Sequence, residues 1–325
     1  MSRQGTQKTF PYLAGLILFG LCLISLRVGA GDTPSRWHLP ADMDLLAISR
    51  VPRTIAATLT GAALAIAGQI MQVIARNRFV EPATAGTAQS AELGILLVTM
   101  LWPAASLGMK TLVASGAALA GTGIFLMTAH RLPPTQPYLV PLFGLVFGGV
   151  VGAGATFIAW QADLLQYLAI WSNGDFSGVL RGRYELLWLG AALVGLAWLV
   201  ADRLTIMALG REASLGLGLD YGRMLQLALV IISAVSAVTV VVIGIIPFVG
   251  LVVPNLISRL MGDNMRVTIP LSALMGAVLV LGCDIVSRLI RFPYEVPVGT
   301  VMGVVGAFMF LVLLIFGPSR GASGA

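Results

Sequence analysis

Apolar runs close to the length of a bilayer crossing alternate with short polar intervals along almost the whole chain. A membrane helix needs about 20 mainly apolar residues. The runs predict spans over Phe10–Leu26 and Thr54–Ala75, then a third that follows the loop Arg76–Pro82 and ends near Trp102. Lys110–Ala129, Tyr138–Trp160, Tyr184–Val200 and Met224–Ile246 come next, and Val267–Ile290 and Val296–Phe316 close the series. Phe248–Met261 is apolar but short and holds Pro254, which predicts a short or broken eighth span. Leu164–Trp171 is too short to cross and is expected near the surface. His130–Pro137 is a proline-rich break. The pattern predicts an all-α, polytopic membrane protein of about ten transmembrane helices, with residues 1–325 forming a single transmembrane domain.

The start of the chain, with Arg3 and Lys8 before an apolar run, mimics a signal peptide. Its length and the many spans that follow favour an uncleaved first span. Ten spans place both termini on one side, and the lysine and arginine bias puts that side in the cytoplasm by a narrow margin. The arginines then left facing outward, among them Arg50, Arg53, Arg288 and Arg291, need a reason of their own.

The longest polar interval of the second half is Arg203–Arg223. Between Gly210 and Gly216 it has room for about one and a half helical turns. A short glycine-bracketed helix between two long apolar spans can serve as a knob for another protein; an ordinary polar loop is the alternative.

Composition agrees with the pattern. The chain is 58% hydrophobic and 10% charged, against about 25% charged in soluble domains. Its 38 glycines suit close helix packing in lipid. The net charge of +6 is scattered through short loops, which argues against a nucleic-acid partner. Cys22 and Cys283 fall inside apolar runs, and His38 and His130 fall in different loops, so neither pair suggests a metal site. There is no G-x-x-x-x-G-K-[S/T] phosphate loop, no zinc motif and no catalytic serine, cysteine and histidine set. Active transport would draw its energy from another subunit or from an ion gradient.

Several polar residues invite a role. Glu92 lies within the third span, where a charge costs about 2.5–3.5 kcal/mol on insertion scales. It is a pathway-lining candidate or a structural hydrogen-bonding group. Asp284 and Arg288, four apart on the ninth span, share a helix face and can pair. Arg50 and Arg53 flank Pro52, and Arg288 and Arg291 mark the end of the ninth span; such forks suit partner carboxylates or lipid headgroups. Gly144, Gly148 and Gly152, like Gly299 and Gly303, have the spacing of helix interfaces.

Taken in order, several stretches resemble one family. They are Arg50-Val51-Pro52-Arg53 with Gly61-Ala62-Ala63-Leu64-Ala65 and Gly68, then Asn77 to Pro82 with Gly86. Ala208-Leu209-Gly210 with Leu215-Gly216 follows, then Phe248-Val249-Gly250-Leu251-Val252-Val253-Pro254, Asp284 with Arg288, and Glu295-Val296-Pro297-Val298-Gly299. The set resembles the FecCD-like permeases of ABC importers, which take up ferric siderophores, haem and cobalamin, and it covers nearly the whole chain. The stretch Asn77–Gly94 is most similar to the branch that imports ferric catecholate-type siderophores. The chain departs from the family pattern at Asn77-Arg78-Phe79, where Asn-Pro-Leu is usual, and at Asn255, where histidine often follows the proline.

The resemblance implies a transport subunit rather than an enzyme, in a bacterial inner membrane. It implies a second permease chain, sister or identical, two ATPase subunits that use ATP and magnesium, and an extracytoplasmic binding protein; no cofactor is expected on this chain. By the same resemblance, Ala208, Leu209, Gly210, Arg211, Glu212, Leu215 and Gly216 match the ATPase-coupling region. Arg50 and Arg288 match arginines that meet the binding protein, and Asn77 and Phe79 match the inner gate. An ion-coupled secondary transporter using Glu92 or Asp284, a membrane enzyme, and a haem or cobalamin permease are the alternatives.

Overall fold

A computed structural model of the chain describes residues 3–28, 44, 46–133, 136, 138–291 and 294–315. The polar segment 31–43, Phe316 and the tail expected beyond it lie outside the described residues. Thirteen α-helices follow in chain order among the described residues. They are α1 (Arg3–Arg27), α2 (Val51–Ile74, entered through a π turn at Leu46–Arg50), α3 (Thr87–Leu101), α4 (Leu107–Ala129), α5 (Leu139–Gln161) and α6 (Leu165–Ser172). Then come α7 (Leu187–Leu199), α8 (Ala201–Ala208), α9 (Arg211–Gly216), α10 (Tyr221–Val242), α11 (Val249–Met261), α12 (Met265–Ile290) and α13 (Val298–Ile315).

Local sequence sets many of the helix starts. Pro52 sits in the first turn of α2, where its missing N–H costs nothing. The side chains of Ser106, Asp220 and Asn264 accept backbone N–H groups at the starts of α4, α10 and α12. Among the described residues seven helices are long and apolar enough to cross a membrane, or eight if α7 and α8, bent by 66° at Val200, count as one. The bend divides the predicted sixth span from the polar interval. By length and composition the expected ten crossings are not all reached: α3 and α11 are apolar but shorter.

Helix α2 is the axis of the fold and is buried along most of its length. It packs on α12, α11, α10 and α7, while α3 and α4 pack together against α10. Small residues let the backbones meet. A Cβ added at Gly61 would lie 2.2 Å from the Gly276 carbonyl oxygen, and one at Gly68 would lie 2.1 Å from that of Gly250. The glycine face of α5 does the same for a loop. Gly144 lies against Thr84, and Gly148 against Gly86.

The expected short helix is present over Val249–Met261, and Pro254 does not break it. Lacking an N–H, it frees the Gly250 carbonyl four residues back. Gln72 Nε2 of α2 donates to that carbonyl at 3.1 Å, so α11 runs on to Met261.

Candidate functional site

The polar residues gather at the two ends of α2. Its 24 residues rise about 36 Å, so the two groups are well separated. At its N-terminal end lies a buried charge network. Arg53 forks between two carboxylates: Nε and Nη2 donate to Asp284 Oδ1 at 3.0 and 2.8 Å, and Nη1 donates to Glu295 at 2.9 and 2.8 Å. Arg288 Nη2 pairs with Asp284 Oδ2 at 2.6 Å. Its Nη1 and Nη2 also donate to Ser25 and Val28 at the end of α1, and its Nε to the Asp284 carbonyl. Two guanidiniums and two carboxylates balance in charge, so burial leaves no uncompensated ion.

Arg288 is 2% exposed. The expected Asp284–Arg288 pair is therefore present, and both groups are internal to this chain. Arg50 is half-buried, with Nη1 donating to Leu26 O at 2.9 Å and Arg27 O at 3.2 Å.

At the C-terminal end of α2 the structure brings together the two stretches that matched the coupling and gate regions. A cleft of about 580 Å³ is lined by Gln69, Arg76, Asn77 and Arg78, by Ala208, Leu209 and Gly210, and by Asn255 and Asp263. The predicted short helix is present as α9. Gly210 and Gly218 bracket it with φ of +103° and +81°, a backbone region that side chains rarely tolerate. Space is also tight at Gly210, where an added Cβ would meet the Arg76 guanidinium at 3.2 Å.

Ser214 fixes α9 from beneath, its buried Oγ donating to Ile206 O at 3.0 Å or Gly210 O at 2.6 Å. Arg211 and Glu212 are exposed on its outer side, as is Gly216. Three apolar side chains stand out around it: Leu209 is 65% exposed, Leu215 54% and Leu217 63%. Exposed leucines on a pinned polar turn suit a groove in another protein.

The stretch Asn77–Phe79 is shaped by local bonds. Asn77 is buried, and its Oδ1 accepts the Phe79 N–H at 2.8 Å in a tight Asx turn. Phe79 is partly exposed and meets Phe310 of α13 edge-on, with ring centroids 6.0 Å apart. Asn255 Nδ2 donates to the Arg78 carbonyl at 2.7 Å. The Arg78 guanidinium pairs with Asp263 at 2.9 Å.

Glu92 is buried on α3 and accepts the hydroxyl of Ser172 at the end of α6. It does not line the 580 Å³ cleft. Among the described residues no three His, Cys, Asp or Glu side chains gather to hold a metal ion.

Sequence reasoning passed over Glu81. It is 1% exposed, and no cation lies beside it among the described residues. Its Oε1 accepts the Phe248 N–H at 2.7 Å, and the N–H groups of Gly250 and Leu251 also bond to the carboxylate. Burial pushes the carboxyl up to about 7, while the three N–H groups pull the other way. The available signal was an acidic residue beside Pro82, in the short loop that also carries Arg76 and Arg78.

Comparison with known proteins agrees with this geometry. The model of the FecCD transport family matches residues 13–316. The petrobactin import system permease protein YclN of Bacillus subtilis is 43% identical over 267 residues, 82% of this chain and 84% of the relative. The ferric-anguibactin transport system permease protein FatD of Vibrio anguillarum is 40% identical, over 93% of this chain and 97% of the relative. The vitamin B12 import system permease protein BtuC of Klebsiella pneumoniae is 34% identical over 97% of this chain and 96% of the relative. In fold, a solved inward-facing structure of a metal-chelate type ABC transporter superposes with a TM-score of 0.80 at 22% identity, covering 95% of this chain and 99% of that one. With the family match spanning almost all of the chain, and the helix order and the paired end-sites in place, this protein belongs to the FecCD transport family.

Proposed function

We propose that the chain is the membrane permease subunit of an ATP-driven importer that translocates a ferric siderophore delivered by an extracytoplasmic binding protein. The observation that carries this reading is the placement of α9: a pinned knob with exposed Leu209, Leu215 and Leu217 shares one cleft with the gate stretch at Asn77 and Arg78. Push on the knob from an ATPase subunit, and the force arrives directly at the gate. Hydrolysis of ATP, with its magnesium, belongs to that separate subunit. This chain carries the path and needs no cofactor of its own.

The end with α9 is cytoplasmic in this reading, and so are both termini. The short helices α3 and α11 complete ten crossings of a bacterial inner membrane within one permease domain, 1–325. A second permease chain, sister or identical, supplies the other wall of the path. Arg50, and the Arg53–Asp284–Arg288–Glu295 network that fixes the end of α2, then face the binding protein. Arg288 contributes by holding that surface in shape, because its own guanidinium is internal. Relatives named for petrobactin and anguibactin, at 43% and 40% identity against 34% for the vitamin B12 permease, favour a siderophore over cobalamin.

An ion-driven transporter would need Glu92 or Asp284 to load and release ions. Asp284 is held by two guanidiniums and Glu92 by Ser172, and neither lines the cleft. The test is a cysteine placed at Leu215, cross-linked in the membrane and followed by mass spectrometry. Capture of an ATPase subunit is expected. A reactive cysteine that captures no ATPase transfers the assignment to ion-coupled transport.

A further inference from the structure

Among the described residues the buried carboxylate of Glu81 has no partner of opposite charge, yet it lies in the interior of a membrane protein. Three backbone N–H groups, those of Phe248, Gly250 and Leu251, meet it where α11 begins. The positive end of a helix is one of the few uncharged groupings that stabilise a buried anion. Phe248 itself is held at φ +69°, a left-handed conformation that a residue with a side chain rarely adopts. The residues around the carboxylate include Leu64 of α2, Ala88 of α3, Ser236 and Thr239 of α10, and Ile246, none of them charged.

Glu81 is also the first of three ties between one loop and one helix. The loop 76–86 runs antiparallel to α11. Glu81 binds the helix start, the Arg78 carbonyl binds Asn255 in its middle, and the Arg78 guanidinium binds Asp263 just past its end. The ion pair is exposed to solvent and the Asn255 bond is part-buried, while Glu81, with three N–H partners, is the most deeply buried anchor of the three. The exposed ion pair is worth little by itself, so the buried tie is the one that makes loop and helix a single body.

We propose that Glu81 is the positioning residue of the gate: its carboxylate locks the loop that carries Asn77 and Phe79 onto α11, so that the two move together when α9 is displaced. This rests on the gate reading of the previous section and adds to it the element that moves with the gate.

Hydrogen exchange on the assembled transporter, reconstituted with its ATPase subunits in nanodiscs, tests it. Glu81→Gln puts an amide where the N–H groups need an acceptor. Exchange is expected to rise by about tenfold or more, together, in the separate segments 76–86 and 245–252, the scale of one lost charge-assisted hydrogen bond. The helix α4 is expected to stay unchanged. Uptake of ferric petrobactin per ATP hydrolysed is expected to fall while hydrolysis continues.

Unchanged exchange at 245–252, a rise confined to 76–86, or an unaltered ratio of uptake to hydrolysis overturns the proposal. If Glu81→Gln does not assemble, Asn255→Ala opens the middle tie instead. It is expected to give the same paired rise, smaller in size, and a rise in one segment only overturns the proposal. The exchange measurement needs no substrate, so failure of the importer reading appears separately, as absence of ATP-driven uptake by the unsubstituted chain.

Discussion

Asp284 is fully buried between Arg53 and Arg288, at 2.8 and 2.6 Å. Removing it strands the Arg288 guanidinium in the interior and leaves Arg53 with Glu295 alone, and losing one partner of a buried pair costs about 3–5 kcal/mol. Asp284→Ala is therefore expected to lower the thermal unfolding temperature in detergent markedly. Arg291→Ala is expected to have little effect, since that side chain is exposed and lies over the Tyr294 ring. The same contrast separates the two arginines assigned to the binding-protein face. Arg288→Glu is expected to prevent stable folding. Arg50→Glu is expected to leave the protein folded and to weaken binding-protein affinity about tenfold, the worth of one charge-assisted hydrogen bond. Titration of the reconstituted permease with labelled binding protein measures it, and unchanged affinity would return Arg50 to lipid anchoring.

Among the helices, contact between α2 and α12 depends on two glycines facing each other. Because an added Cβ at Gly276 would lie 2.2 Å from a backbone oxygen, no rotamer relieves it. Gly276→Val is expected to separate the two helices and destabilise the protein by about 1–3 kcal/mol or more. Gly282 on the same helix has nothing within 4 Å of an added Cβ, so Gly282→Ala is the neutral control in the same unfolding assay. Helix α9 is governed by exposure instead. Leu215 is 54% exposed, so Leu215→Asp is expected to leave folding intact and abolish most ATP-driven uptake. Normal uptake by that variant would count against the coupling role.

At the scale of the whole molecule, α2 and α12 link the two ends of the protein. One end of each lies in the Arg53–Arg288 network and the other beside the 580 Å³ cleft. A binding protein at one face and an ATPase at the other would therefore act on the same two helices. The membrane character, the position of most spans, the surface helix at Leu165–Ser172 and the glycine-bracketed α9 were legible in the sequence. Each depends on the length of an apolar run or on a backbone signal a few residues long. The bend at Val200, the continuity of α11 through Pro254, the internal position of Arg288 and the presence of Glu81 in the site were not legible. Pro254 is tolerated because Gln72, far away in sequence, donates to the Gly250 carbonyl in place of the missing N–H. Glu81 meets Phe248 across 167 positions, and Arg53 meets Asp284 across 231. Insertion into lipid is decided by local hydropathy, which the sequence by itself determined. The pairing of buried polar groups is decided by which helices meet in space, and only the tertiary structure supplies that, because in a low-dielectric interior each charged group must find its partner wherever the packing places one.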